Sequence, residues 1–308
     1  MVQNIELQSN SAQQWETDTI YYEFSAAVAP KLPAIPHASF DAELHQQGET
    51  RIVALDLSSQ LKSIAPATSP AISANFLRIC PQESLKTTTP ATAQIFYVIR
   101  GRGRTETEYG TMEWSQGDLF TLPCCDRAIH FAEEDSAICW VTDEALVNYL
   151  GVRPTKPRFQ PSLYPGERIF SELRQIAQEP GASKRNRIGV LLGNESTQLT
   201  RSLTHTLWAL IVYIPGGTVQ KPHRHNSVAL DLVIDAPDDV YTLVGKSIDA
   251  EGNIVNGERV YWKSSSVFVT PPGLWHSHHN ESGKDALILP VQDAGLYAHL
   301  RTLDQQWV

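Results

Sequence analysis

The chain has 308 residues, 42% hydrophobic and 19% charged, with a formal net charge of −9. That length suggests two domains or one large one, with ample apolar material for a core. The acidic balance argues against a nucleic-acid partner, which calls for a basic face, and no apolar run reaches the roughly 18 residues of a membrane span. The N-terminus, Met1-Val-Gln-Asn-Ile-Glu, has neither the basic nor the apolar segment of a signal peptide. Cys80, Cys124, Cys125 and Cys139 lack paired metal or redox spacing and sit in apolar text, so they are expected to be buried free thiols of a cytoplasmic protein.

Residues 1–50 are mixed and punctuated by Pro30, Pro33 and Pro36, as expected of an arm laid over a barrel or a partner subunit. From 51 to 150 the text becomes β-like, with short β-branched and aromatic runs such as Ile95-Phe-Tyr-Val-Ile separated by turn residues. Within 151–187 the period changes: Ile169, Phe170, Leu173 and Ile176 fall at helical spacing before Pro180-Gly181, which predicts a short connecting helix. A second β-rich block fills 188–308. The blocks repeat: Ile95-Phe-Tyr-Val-Ile aligns with Leu230-Asp-Leu-Val-Ile, and Gly117–Pro123 with Ser265–Pro271. The pattern is that of an all-β protein with two barrel or sandwich units.

Three histidines carry the chemistry. His223 and His225 are two residues apart, so on a strand they aim two imidazoles to one side. His276, in the run Pro271-Pro-Gly-Leu-Trp-His276-Ser-His278, offers a third from a neighbouring strand. Imidazole suits iron, zinc, copper and nickel, and three protein ligands leave coordination positions open for reaction. Setting Val98 against Val233 places Thr88 and Pro90 where the second block has His223 and His225. His130 lies seven residues past Pro123 whereas His276 lies five past Pro271, so His130 reads as isolated and the first unit as metal-free.

Gly217, His223, His225, Pro271, Gly273, His276 and Asn280 together resemble the two signature motifs of the cupin superfamily. The resemblance implies a bicupin: two antiparallel β-barrels of the double-stranded β-helix or jelly-roll type. Within cupins the text from Thr206-Leu-Trp to Pro222-His-Arg-His-Asn, and then Thr270-Pro-Pro-Gly-Leu-Trp-His-Ser-His, is similar to the gentisate dioxygenase group. That group cleaves aromatic rings at ferrous iron held by three histidines and no carboxylate, with a silent second barrel. Here the order of the barrels is swapped. The likeness implies Fe(II) on His223, His225 and His276, dioxygen and a hydroxylated aromatic as substrates, and a homodimer or homotetramer. It also makes His278 a contact for substrate or oxygen, unless it lies outside the reacting centre.

Two departures bear on substrate. Where that group has an arginine able to grip a carboxylate as a fork, this chain has Asp231, and where it has a glutamine, this chain has Val212. An anion facing an anionic substrate costs roughly 4 kcal/mol at an effective dielectric of 20 and about 4 Å. Gentisate and salicylate are therefore expected to be poor substrates if Asp231 points into the pocket, and neutral or amine-bearing phenols better ones. If Asp231 faces outward or pairs with Arg224 or Lys221, it says nothing about substrate. The alternatives are a non-oxidative isomerase, lyase or hydrolase using zinc, nickel or manganese as Lewis acid, or a bicupin that only binds a small molecule.

Overall fold

The strand Ala93–Arg100 shows why the β text is apolar at nearly every position. Ile95 and Tyr97 enter one core, Phe96 and Val98 another, and all four are buried. In the second half the strand Ala229–Asp235 divides the same way, with Leu230 and Leu232 on one face and Asp231 and Val233 on the other. A strand buried on both faces reads as a short continuous apolar run, the mark of a middle layer.

The computed structural model describes residues 15–29 and 31–308; residues 1–14 of the expected arm, and Pro30, lie outside them. In the first half a six-stranded antiparallel sheet runs in the order Ser162–Tyr164, Leu119–Pro123, Ala93–Arg100, Ser136–Thr142, Ser73–Ile79, Arg51–Ala54. It packs on a four-stranded sheet of Ser84–Thr87, Ala128–Ala132, Arg102–Thr107 and Gly110–Ser115. The second half repeats the plan. Its six-stranded sheet is Ser39–Phe40, Val267–Thr270, Ala229–Asp235, Ala286–Gln292, Trp208–Ile214, Ile188–Leu192. The facing sheet is Glu258–Tyr261, Val240–Gly245, Trp275–Asn280, His223–His225, Gln305–Trp307.

Each half has its own interior, built around stacked Phe96 and Phe120 in the first and around Trp262 and Phe268 in the second. A third core lies between the halves, where Tyr97, Cys139 and Val141 meet Leu230, Val267 and Leu289. The expected helix is present as Gly166–Gln178, burying Ile169 and Leu173. Its first residue must be glycine: a Cβ there would stand 2.7 Å from the Gly117 carbonyl, and its amide donates to Asp118 Oδ1 at 2.7 Å. Two further seven-residue helices, Glu144–Leu150 and Ala294–Leu300, follow the last long strand of each half. At that length a helical period does not stand out from the sequence. The arm reaches the second half, where Ser39–Phe40 pairs with Val267–Phe268, and leads into Arg51–Ala54, the edge strand of the first half. Between them His45 accepts from Arg100 at Nδ1 (2.8 Å), so its Nε2–H donates to the Ser265 carbonyl (3.0 Å).

Strand register corrects the sequence alignment of the two halves. His223 pairs with His276 as Thr87 pairs with Ala128. The first-half counterparts of His223, His225 and His276 are therefore Thr87, Thr89 and Ala128, not Thr88 and Pro90. The first half carries one extra residue between this segment and the next strand, which an ungapped alignment cannot show. By the same register His130 is the counterpart of His278 and not an isolated histidine.

Candidate metal centre

The short strand His223–His225 lies between Trp275–Asn280 and the chain's last strand, Gln305–Trp307. Strand geometry turns His223 and His225 to the same interior side, and His276 meets them from across the ladder. All three are buried, and one ring nitrogen of each lies within 4.8 Å of the others.

For two of the three, hydrogen bonds decide which nitrogen is free. His225 Nδ1 is 2.8 Å from the Ser227 carbonyl, His276 Nδ1 3.1 Å from that of Leu274, and His223 Nδ1 3.2 Å from that of His276. A carbonyl only accepts, so the Nδ1 of His225 and of His276 carries the proton and their Nε2 presents a bare lone pair, the arrangement that prepares imidazole for a metal. The His223 Nδ1 also meets the donor-only Arg187 guanidinium, so its bonds do not fix its tautomer. His225 Nε2 is buried with no hydrogen-bond partner. Burial holds all three pKa values below the ordinary range, that of His225 at about 4, and keeps the rings neutral. The donor set thus fits a divalent cation.

Arg187 is the residue that the sequence reading missed. Its Nη2 lies against the His223 ring, touching Nδ1 and lying 2.9 Å from Nε2, while Nη1 donates to Gln220 Oε1 at 2.7 Å. Trp307 stacks on His223 with centroids 4.7 Å apart, and the Arg187 guanidinium sits 5.2 Å from the same indole. Burial lowers the Arg187 pKa to about 9. Nothing in the sequence marks it: Arg187 precedes His223 by 36 residues and stands next to an unrelated strand, Ile188–Leu192.

Asp231 does not pair with Arg224 or Lys221. It is buried on the interior face and accepts from Thr270 Oγ1 at 2.6 Å, and burial raises its pKa to about 7 against the opposing effects of Thr270 and Arg187. Arg224 donates instead to Gln306 and lies over Trp275, and Lys221 is exposed. Val212 is part of the apolar interior. The side-chain amide that holds Arg187 comes from Gln220. His278 is buried beside the trio, its ring centroid 6.1 Å from that of His276, and bonds Thr242 Oγ1 through Nδ1 at 2.9 Å. His279, on the opposite face, stacks on Tyr241.

Fold and cluster define a class: a bicupin with one buried histidine trio, among the described residues, able to hold a metal ion. The particular likeness is to aromatic dioxygenases. The chain is 29% identical over 131 residues to gentisate 1,2 dioxygenase 1 of Aquipseudomonas alcaligenes, a match covering 40% of this chain and 34% of that one. It is 28% identical over 119 residues to the 5-aminosalicylate 1,2-dioxygenase of Comamonas sp, covering 38% and 28%. The chain thus matches about a third of the length of these relatives. The structure of salicylate 1,2-dioxygenase from Pseudaminobacter salicylatoxidans superposes with a TM-score of 0.70 at 15% identity, over 93% of this chain and 92% of that one, and shares the fold. No protein-family model matches the chain. No helix among the described residues is long and apolar enough to cross a membrane.

Proposed function

We propose that the protein is a mononuclear non-haem Fe(II) dioxygenase that opens the ring of a hydroxylated aromatic acid, with His223, His225 and His276 as metal ligands. One observation carries this reading: three buried neutral imidazoles, two of them with Nδ1–H bonded to a carbonyl, bring one ring nitrogen each within 4.8 Å of the others beside a guanidinium. When bound, ferrous iron supplies Lewis acidity toward a phenol oxygen and electron transfer with dioxygen. The neutral trio would leave the positive charge of a divalent metal uncompensated. Burial excludes bulk water, and the carbonyl bonds hold each ring in place without rearrangement.

Arg187 is proposed to grip the substrate carboxylate. Gln220 and the Trp307 face hold the guanidinium at the trio, and a nitrogen whose lone pair is committed to a metal cannot accept from it. Its Nη2 donors are then available for a planar anion, which a guanidinium recognises as a fork. This replaces the expectation that gentisate-like acids are poor substrates, which weighed Asp231 without a cation. With its pKa near 7, Asp231 is largely protonated in mildly acidic solution and opposes an anion least there. The relatives' names point the same way: gentisate and 5-aminosalicylate both carry a carboxyl beside a hydroxyl.

The decisive experiment is metal analysis followed by oxygen uptake on anaerobically reconstituted ferrous protein. Gentisate, salicylate and 5-aminosalicylate should consume oxygen, and unsubstituted hydroquinone much less. No uptake with any phenol, together with conversion of a substrate by the zinc, nickel or manganese protein, would overturn the reading in favour of Lewis-acid chemistry. The proposal also carries the 51–150 and 188–308 units as separate barrels, a homodimer or homotetramer, and a cytoplasmic location. Sedimentation and cell fractionation test the last two.

A further inference from the structure

His276 and His278 share a strand and a face, yet their ring protons are set oppositely. His276 Nδ1 meets the Leu274 carbonyl, which can only accept. His278 Nδ1 meets Thr242 Oγ1 at 2.9 Å, and that oxygen already accepts the Trp262 indole N–H, also at 2.9 Å. Indole is donor only, so the direction of that bond is certain. Thr242 is fully buried, and its single hydroxyl hydrogen has the His278 Nδ1 as its acceptor among the described residues. A proton on Nδ1 would place three hydrogens around one oxygen and leave the hydroxyl without an acceptor, an arrangement that buried polar groups avoid. The lone pair of His278 is therefore on Nδ1 and its proton on Nε2.

We propose that Thr242 and Trp262 are positioning residues that make His278 a hydrogen-bond donor, rather than a fourth ligand, toward an anionic oxygen bound among His223, His225 and His276. The first half supports the geometry independently. There Trp114 Nε1 donates to Thr105 Oγ1 at 2.9 Å, and Thr105 bonds His130 Nδ1 at 2.8 Å, the same relay on the counterpart residues. His130 Nε2 then meets Thr87 Oγ1 at 3.0 Å, and Thr87 occupies the register position of His223. The ring held this way thus directs Nε2 toward the ligand position. In the second half no protein atom among the described residues takes that donor, so it is left for a ligand.

The test is nitrogen-15 NMR of the ring nitrogens in the full chain, both metal-free and loaded with diamagnetic zinc. The His278 signals are assigned by their loss in His278→Gln. The expected result is a protonated Nε2 and bare Nδ1 for His278 and His130, and the reverse for His225 and His276. Thr242→Val should give a mixed His278 tautomer and leave His130 unchanged; Thr242→Ser should restore the parent pattern, and Thr105→Val should alter His130 alone. Turnover of the ferrous protein should fall on the order of 10-fold in Thr242→Val, with KM and metal content little changed. A native His278 protonated on Nδ1, or a tautomer indifferent to Thr242→Val, would overturn the proposal. Its effect on turnover rests on the dioxygenase reading, whereas the tautomer does not. An inactive protein with the expected tautomers would count against the reaction and leave the relay standing.

Discussion

The two halves share a relay and differ in what surrounds it. In the first, His130 is closed off: Thr105 takes one ring nitrogen, Thr87 the other, and Phe96 and Phe120 pack nearby. In the second, the counterpart His278 is held on one side only, and three histidines stand where the first half has Thr87, Thr89 and Ala128. The scaffold therefore does not make the site. Three side chains at fixed register positions do, together with Arg187 brought in from outside the facing sheet.

Changing the ligands should have the largest effect. His276→Ala is expected to lose most of the metal, and turnover by at least about 10²-fold, whereas His130→Gln should leave metal content unchanged. Metal analysis of the two variants side by side checks this; a fully loaded His276→Ala protein would end the ligand assignment.

Acid should act on the first half through His130, which burial holds at about 3. A histidine depressed in the folded state contributes stability that is complete above its ordinary value near 6.5 and is lost as pH falls toward 3. The ceiling is on the order of 5 kcal/mol. Urea midpoints of the parent should fall between pH 7 and pH 4.5, and His130→Gln should flatten that slope. An unchanged slope would show that His130 is reached by solvent.

Removing the guanidinium should separate substrates rather than abolish the reaction. Arg187→Ala is expected to lose about 1.5–3 kcal/mol of carboxylate recognition, roughly 10- to 100-fold in kcat/KM for gentisate, with little change for hydroquinone. Equal losses on both substrates would instead give Arg187 a role in holding His223. The smallest effect belongs to Asp231→Asn. It removes an anion that forms as pH rises through about 7, so it should raise kcat/KM for gentisate a few-fold at pH 8 and hardly at pH 6. A pH-independent change would place the effect in packing against Thr270.

Much of this molecule is local and can be read from the chain alone. The β runs, the helix over Gly166–Gln178, the internal repeat and the His223, His225, His276 pattern all follow from periods of two and 3.6 and from ligand spacing. Asp231 does face the interior, but not by the even spacing from His225 on one strand that the chain suggested. The strand breaks at residues 226–228, and His225 and Asp231 belong to separate strands of the two facing sheets. What the chain alone misjudged was relative placement. A one-residue difference in a loop shifted the apparent counterparts of His223 and His225. The equivalence of His130 and His278, each seven residues past its proline, stands in the sequence and is lost when His130 is measured against His276. Arg187, Gln220, Thr242 and Trp262 carry no signal at all, because each reaches its partner across a sheet rather than along a strand. Which ring nitrogen holds a proton depends on whether a carbonyl or an already occupied hydroxyl faces it, and only the packed strands bring those groups within 3 Å or so.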